Sequence, residues 1–556
     1  MFEAPIFTSP LDPDIAGDDP LGLAPVNERL YNAVYPGINN FVRYIRVYSS
    51  ICWMVNLVDQ HFQKHGGELS KGEALQIAND AYQKVQLVLT WINKDKGYTQ
   101  LAGTGRQFPS NDSKVRLVFT TFGDNSASLL DAVAYRPSLT TGLGFLERKP
   151  DGTYECTSAG IRLANAFDEH AKACEKYRWL ANVTLLEGKR SAVFALESSF
   201  DVGVPTPAEQ TAFLSQFFPS SGLELHDQFT HNRWFSIHLT LRAVLSVCRT
   251  NKAEGGSSYA TESEVRACMA RARTSNGEVL NCSGVETVQV WWSVLQLRQL
   301  FRLALDVLFS ATEQWLDDRD FEAESASLDE CSAALGRSAL SGLEDEYRQK
   351  VSSLQEYFEE AQAKHPTLYV AAANSSDEDE ITDIFQHIDA LLKSSFEFDS
   401  EGNNGAVFGA YLALILCANE VQNLLKDPTC REVLLRDHDQ CSLVSLAKLV
   451  ARMKSNSPAQ FVAHLVRHWV ILRHFQIVCE RSQNADGKNR FRFVLGDNGL
   501  ERFNPAVKIT KPAFAQDKLL HILLLCQQCG LVSQKDDGYK LTPAGRLRIA
   551  SLNMFG

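Results

Sequence analysis

Apolar positions recur at helical spacing along most of the chain. Leu30 and Val34, then Phe41, Tyr44, Ile45, Tyr48 and 51–55, broken at Pro36-Gly37, predict two helices joined by a Pro-Gly turn. Ser70 followed by Glu73 has the spacing of a capping box and opens an amphipathic helix with Leu75, Ile77, Ala78, Tyr82, Val85, Leu87 and Val88. An irregular loop is expected over 101–126, with a short strand at 115–119. Long amphipathic helices are predicted at 235–248 and 288–316, the second with Trp291, Leu295, Leu300, Leu303, Val307 and Leu308 along its apolar face. Residues 319–403 are acidic. The run Ser375-Ser376-Asp377-Glu378-Asp379-Glu380 and the Gly-Asn string at 402–405 read as solvated linkers. Helices resume at 406–425 and 443–479.

Two segments almost 390 positions apart share one local grammar. Residues 144–160 run from Gly144-Phe145-Leu146 through Asp151-Gly152-Thr153-Tyr154 to Thr157-Ser158-Ala159-Gly160. Residues 530–545 run from Gly530-Leu531-Val532 through Asp537-Gly538-Tyr539 to Thr542-Pro543-Ala544-Gly545. In each the first glycine suits a left-handed helix C-cap, Asp-Gly a tight hairpin turn, and the threonine the N-cap of a further helix. The preceding helices are placed at 126–134 and 518–528. Helix, hairpin and helix in this order outline a winged helix, with 149–152 and 535–538 as wing tips.

The expected fold is therefore mainly α, with helical bundles and two winged-helix modules. The expected division is an extended arm (1–22), an N-terminal helical domain (23–100), winged-helix module 1 (101–175), a middle helical domain (176–318), acidic helices and linkers (319–405), a C-terminal helical domain (406–480) and basic winged-helix module 2 (481–556).

Charge refines this division. The 556 residues carry a formal charge of -12, yet from His464 onward the chain is +7, leaving -19 before it. A basic end on an acidic body allows phosphate contact at that end, or contact with an acidic protein. The DNA-binding candidates are Lys535, Lys540, Arg546, Arg548, Arg490, Arg492 and Lys518 in the second module, and Arg136, Arg148 and Lys149 in the first; all of them are equally readable as solvated surface charges.

Catalytic signatures are sparse. There is no phosphate-binding Gly-x-x-x-x-Gly-Lys loop, and Gly103-Thr104-Gly105-Arg106 lacks the third glycine of a dinucleotide site. Cys526 and Cys529 form a lone Cys-x-x-Cys, read as two buried thiols. His464 and His468 share a helix face without the glutamate of a metalloprotease, and His226, His231 and His238 read as core or interface histidines. Glu187-Gly188-Lys189 has the form of half a metal-dependent nuclease site but lacks a preceding aspartate on a strand. No catalytic residue, metal ligand, cofactor or small-molecule substrate is assigned. Thirteen irregularly spaced cysteines suit reduced thiols, and the acidic N-terminus has no apolar signal region, so a cytoplasmic location is expected. The longest apolar stretch, 519–526, is too short to cross a membrane.

Three passages carry a resemblance. They are Leu23-Ala24-Pro25-Val26-Asn27-Glu28-Arg29-Leu30-Tyr31 with 36–40 and Arg43-Tyr44; Trp292 through 298–304; and Trp469 through Arg473-His474 to 491–493. Together they resemble uncharacterised helical winged-helix proteins of bacterial anti-phage defence systems, and the arrangement is similar to kleisin-like or accessory subunits of SMC-type systems such as Lamassu or Wadjet. The first module here departs from that pattern by lying behind about 100 residues of helices. The resemblance implies a non-catalytic subunit that docks to an SMC-like ATPase, an effector nuclease or both, and touches DNA through its C-terminal winged helix. The alternatives are a stand-alone winged-helix DNA-binding regulator and a nuclease with an unrecognised site.

Overall fold

The computed structural model describes residues 19–65, 69–98, 101–123, 128–130, 134–220, 228–318, 326–347, 353–356, 402–436, 440–483, 491–497, 499–504, 506–510, 512 and 517–552. The chain is mainly helical, with small antiparallel hairpins. It divides into two compact units, neither continuous in sequence: one takes 1–30, 267–280 and 289–515, the other 31–266, 281–288 and 516–556. This differs from the expected run of consecutive domains. Residues 228–266 belong with the C-terminal 516–556 rather than with 289–318.

In the first of these units, the helix Leu328–Tyr347 packs on Gly402–Leu424 and Pro458–Leu465. Gly336 permits a close approach, since a Cβ there would run into the Ala459 carbonyl. The Gly-Asn string at 402–405 opens a helix instead of forming a linker, because the apolar residues from Ala406 to Leu416 are buried and bring their first turn into the helix. The stretch Gly405–Leu424 is long and apolar enough to cross a membrane, contrary to the expectation from 519–526, but most of it is buried within the unit. The expected helix 443–479 is four pieces: Leu443–Arg452, Pro458–Leu465, a π-helical stretch Val466–Ile471, and Leu472–Gln483. The break falls at Ser457-Pro458, where Ser457 and Gln460 form a capping box and proline occupies the first turn. A hairpin pairs Phe493–Gly496 with Gly499–Arg502. The run 375–380 lies outside the described residues.

In the other unit, the helix Ile45–His65 packs on Lys71–Asp95 and Ser158–Ala171. The capping box expected at Ser70 and Glu73 is present. Arg233 ties several segments together by donating to the carbonyls of Pro36 (2.9 Å), Gly142 (3.0 Å), Gln216 (2.9 Å) and Phe217 (3.3 Å). Such a buried guanidinium is tolerable because its donors are matched. Arg46 and Glu209 form a fully buried ion pair at 2.8 Å. The 101–126 loop contains the expected strand as Val115–Arg116, which pairs with Glu187–Gly188. A strand at 187 was not expected from its helical surroundings.

Candidate nucleic-acid interface

The repeated segments fold alike down to individual hydrogen bonds. Gly144 and Gly530 both adopt left-handed φ values, 65° and 70°. The Thr157 N–H donates to the Phe145 carbonyl and the Thr542 N–H to the Leu531 carbonyl, each at 3.0 Å. Both hydroxyls turn back to the starting glycine, Thr157 Oγ1 to the Gly144 carbonyl at 2.7 Å and Thr542 Oγ1 to the Gly530 carbonyl at 2.6 Å. Both then cap the following helix, accepting from the Gly160 and Gly545 N–H groups at 3.1 Å.

The likeness extends upstream in a way the sequence conceals. In the first copy the long helix Ile45–His65 precedes the Ser70/Glu73 capping box and packs on the strand Tyr154–Cys156 and the helix Ser158–Ala171. In the second copy the long helix Gln228–Ala253 packs on the strand Gly538–Leu541 and the helix Pro543–Leu552. It is followed by Thr261 and Glu264, whose side chains and backbone N–H groups bond reciprocally at 2.7 and 3.3 Å. Residues Ala260–Thr261 add a third strand beside Gly538–Leu541, pairing Ala260 with Tyr539. The second copy is thus split, with 267–280 and 289–515 assigned to the other unit.

Of the two helices expected ahead of the hairpins, the second is present as Leu519–Gln528. Ahead of the first, a π-helical stretch Ser138–Gly142 stands before Gly144, and most of the helix expected at 126–134 lies outside the described residues. Ahead of the second, Leu519–Gln528 carries no Asp, Glu, Lys or Arg and no exposed residue. His521 bonds the Val42 carbonyl (3.1 Å), and Gln528 accepts from the Ile45 N–H and donates to the Val202 carbonyl. Burial pushes His521 down to about 4, with Arg43 adding to the effect. Its part-exposed residues, Leu520, Leu524, Gln527 and Gln528, include no charged group.

The candidate cations fall into three groups. Arg492 and Lys518 are buried: Arg492 pairs with Glu313 at 2.7 Å, and Lys518 Nζ donates to Asn32 Oδ1 at 2.7 Å. Both serve the fold, which corrects their assignment to a phosphate-contacting surface. Lys149 pairs with Asp59 and, at 3.5 Å, with Glu155; Arg136 is half-buried and Arg148 exposed. Arg548 is half-buried with its guanidinium 5.9 Å from the Phe218 ring. Lys535 is exposed but adjoins exposed Asp536 and Asp537 at the hairpin turn. Arg490 lies outside the described residues. The remaining two, half-buried Lys540 and exposed Arg546, line a cavity of about 250 Å3 with Arg249 and Lys252. Sequence reasoning missed these last two, since nothing local links the end of the helix Gln228–Ala253 to a hairpin nearly 290 residues on.

The other candidate chemistries are placed as follows. His238 is buried against Trp234, 4.2 Å between rings, and burial lowers it to about 3, as suits a neutral core histidine. His226 lies outside the described residues. Burial raises the Cys526 and Cys529 thiols far above their ordinary range. His464 and His468 rings stand 4.5 Å apart. Among the described residues, no three His, Cys, Asp or Glu side chains come together as metal ligands. The Glu187 strand has a partner after all, with Asp112 three residues before it, but Asp112 accepts from the Ser191 N–H and hydroxyl (2.7 and 3.0 Å) and Glu187 pairs with Lys114.

No protein-family model, curated protein or solved structure matches the chain.

Proposed function

We propose that this chain is a non-catalytic subunit of a bacterial anti-phage defence complex. On this reading the C-terminal helix–hairpin–helix is a winged helix that contacts DNA, while other surfaces dock an SMC-like ATPase, an effector nuclease or both. The observation that carries the DNA contact is the pair Lys540 and Arg546, on the return strand and following helix of the C-terminal hairpin. Neither is ion-paired with an acid among the described residues. The contact is to phosphates rather than base edges, because the helix ahead of the hairpin is mostly buried and carries no Asp, Glu, Lys or Arg. The first module is assigned to protein docking, since its wing lysine, Lys149, is already neutralised by Asp59 and Glu155.

Duplex binding by the full chain over a salt series tests the reading. Binding should weaken steeply with salt, and Lys540→Ala with Arg546→Ala should flatten that dependence. Co-purification with proteins encoded beside it tests the docking. Absence of duplex binding, or cleavage of DNA by the chain alone with magnesium, would overturn the proposal.

A further inference from the structure

We infer that the cavity between the end of the helix Gln228–Ala253 and the C-terminal hairpin binds a phosphate group. Resting on the reading above, that phosphate belongs to a nucleic-acid backbone. Four cations converge there from three separate elements: Arg249 and Lys252 from the last turns of the long helix, Lys540 from the return strand, and Arg546 from the first turns of the final helix. Among the described residues, no acid lines the cavity. Arg249 and Lys252 gain something from the carbonyl end of their own helix, but that accounts for only one side of the cluster. Lys540 and Arg546 come from elsewhere and meet them across a concavity, where like charges repel unless an anion sits between them.

The neighbouring groups fit the same ligand. Lys540 Nζ is held 3.2 Å from Ser258 Oγ and 5.4 Å from the Tyr259 ring centre, leaving the Ser258 hydroxyl hydrogen for an oxyanion. The Cys248 thiol donates to the Tyr539 carbonyl at 3.3 Å, and burial raises its pKa, so it adds no negative charge. The nearby Glu264 carboxylate is turned to Asn251 and Thr261. At about 250 Å3 the cavity is smaller than the roughly 300–1,000 Å3 of sites that enclose an organic ligand. It therefore suits one charged group presented by a larger molecule rather than an engulfed nucleotide.

The test uses the full chain, labelled duplex DNA and, as the free-phosphate probe, pyrophosphate in a thermal-shift assay. Arg249 and Lys252 are exposed, so Arg249→Ala with Lys252→Ala should leave folding intact, and Arg249→Lys with Lys252→Arg controls for charge. The expected result is that the alanine pair weakens duplex binding alike for all sequences and lowers the slope of log affinity against log salt by about 1 for each lost contact, while the charge-preserving pair retains both. Lys535→Ala, beside two aspartates, should do much less. Duplex binding unchanged in the alanine pair overturns the cavity and leaves the DNA reading standing. No duplex binding, with pyrophosphate stabilising the wild type but not the alanine pair, keeps the phosphate site and overturns its nucleic-acid source. Neither response overturns both.

Discussion

His474 accepts the backbone N–H of Arg492 on Nε2 at 3.0 Å. Its other nitrogen, Nδ1, lies 3.1 Å from the Pro20 carbonyl, which fixes the neutral ring with its proton on Nδ1. The ring is completely buried, and burial lowers its pKa to about 4, the Pro20 carbonyl opposing this and the Arg492 and Arg481 charges reinforcing it. A base whose folded pKa lies below its unfolded value of about 6.5 contributes stability that is complete above pH 6.5 and is lost as pH falls toward 4. Denaturant unfolding from pH 7.5 to 4.5 should show that loss, up to about 3 kcal/mol from this group. His474→Leu should cost about 1–3 kcal/mol at pH 7.5 by orphaning the Arg492 N–H. It should also lose less than the wild type on acidification; equal losses would refute the assignment.

Arg492 and Lys518 should separate stability from binding. Arg492→Ala leaves Glu313, fully buried and also accepting the Thr510 N–H, without its counter-charge, at a cost of about 3–5 kcal/mol. Lys518→Ala removes the charge-assisted hydrogen bond to Asn32, about 1.5–3 kcal/mol. Neither should change the salt slope of any DNA binding measured well below the melting temperature. A slope reduced as far as by Lys540→Ala would return these residues to the interface.

Local chemistry was legible where it is local. The Ser70/Glu73 capping box and the Gly–hairpin–Thr–helix grammar at 144–160 and 530–545 depend on residues within a few positions of one another, and they fold as their spacing predicts. Charge was legible only as a total. Whether Arg492 meets solvent or Glu313 depends on a contact 179 positions away, and whether Lys540 stands alone or beside Arg249 depends on a helix that periodicity alone assigns to a middle domain. The apolar stretch 405–424 was underread at its start because glycine and asparagine signal a turn locally, whereas the burial of the residues that follow decides for helix.

The Arg46–Glu209 pair should behave as a buried pair rather than a surface one. Both side chains are inaccessible. Arg46 also donates to the Ser199 and Val204 carbonyls, and Ser49 donates to Glu209 at 2.5 Å. Arg46→Met strands the carboxylate and should cost about 3–5 kcal/mol, whereas Arg46→Met with Glu209→Leu should recover much of that, because an apolar pair needs no desolvation of charge. Equal losses in the single and double variants would mean that the carbonyl contacts, not the ion pair, set the cost.

Gly160 and Gly545 should fail in parallel. Each is the third residue of a helix whose N-cap threonine folds back over the hairpin, and a Cβ at either would strike a backbone carbonyl, that of Phe145 or of Leu531. A carbonyl fixed in a helix–hairpin junction cannot swing aside as a flexible side chain could. Gly160→Ala and Gly545→Ala should therefore each cost about 1–3 kcal/mol, despite alanine's better helix propensity. Thr157→Val and Thr542→Val, which remove the cap but keep the shape, should each cost about 1 kcal/mol. Gly105→Ala, with no atom within 4 Å of its Cβ, is the control and should be near neutral. Matched losses at 160 and 545 would establish the two segments as one structural device used twice. A neutral Gly545→Ala beside a damaging Gly160→Ala would mean that the C-terminal junction yields where the first does not.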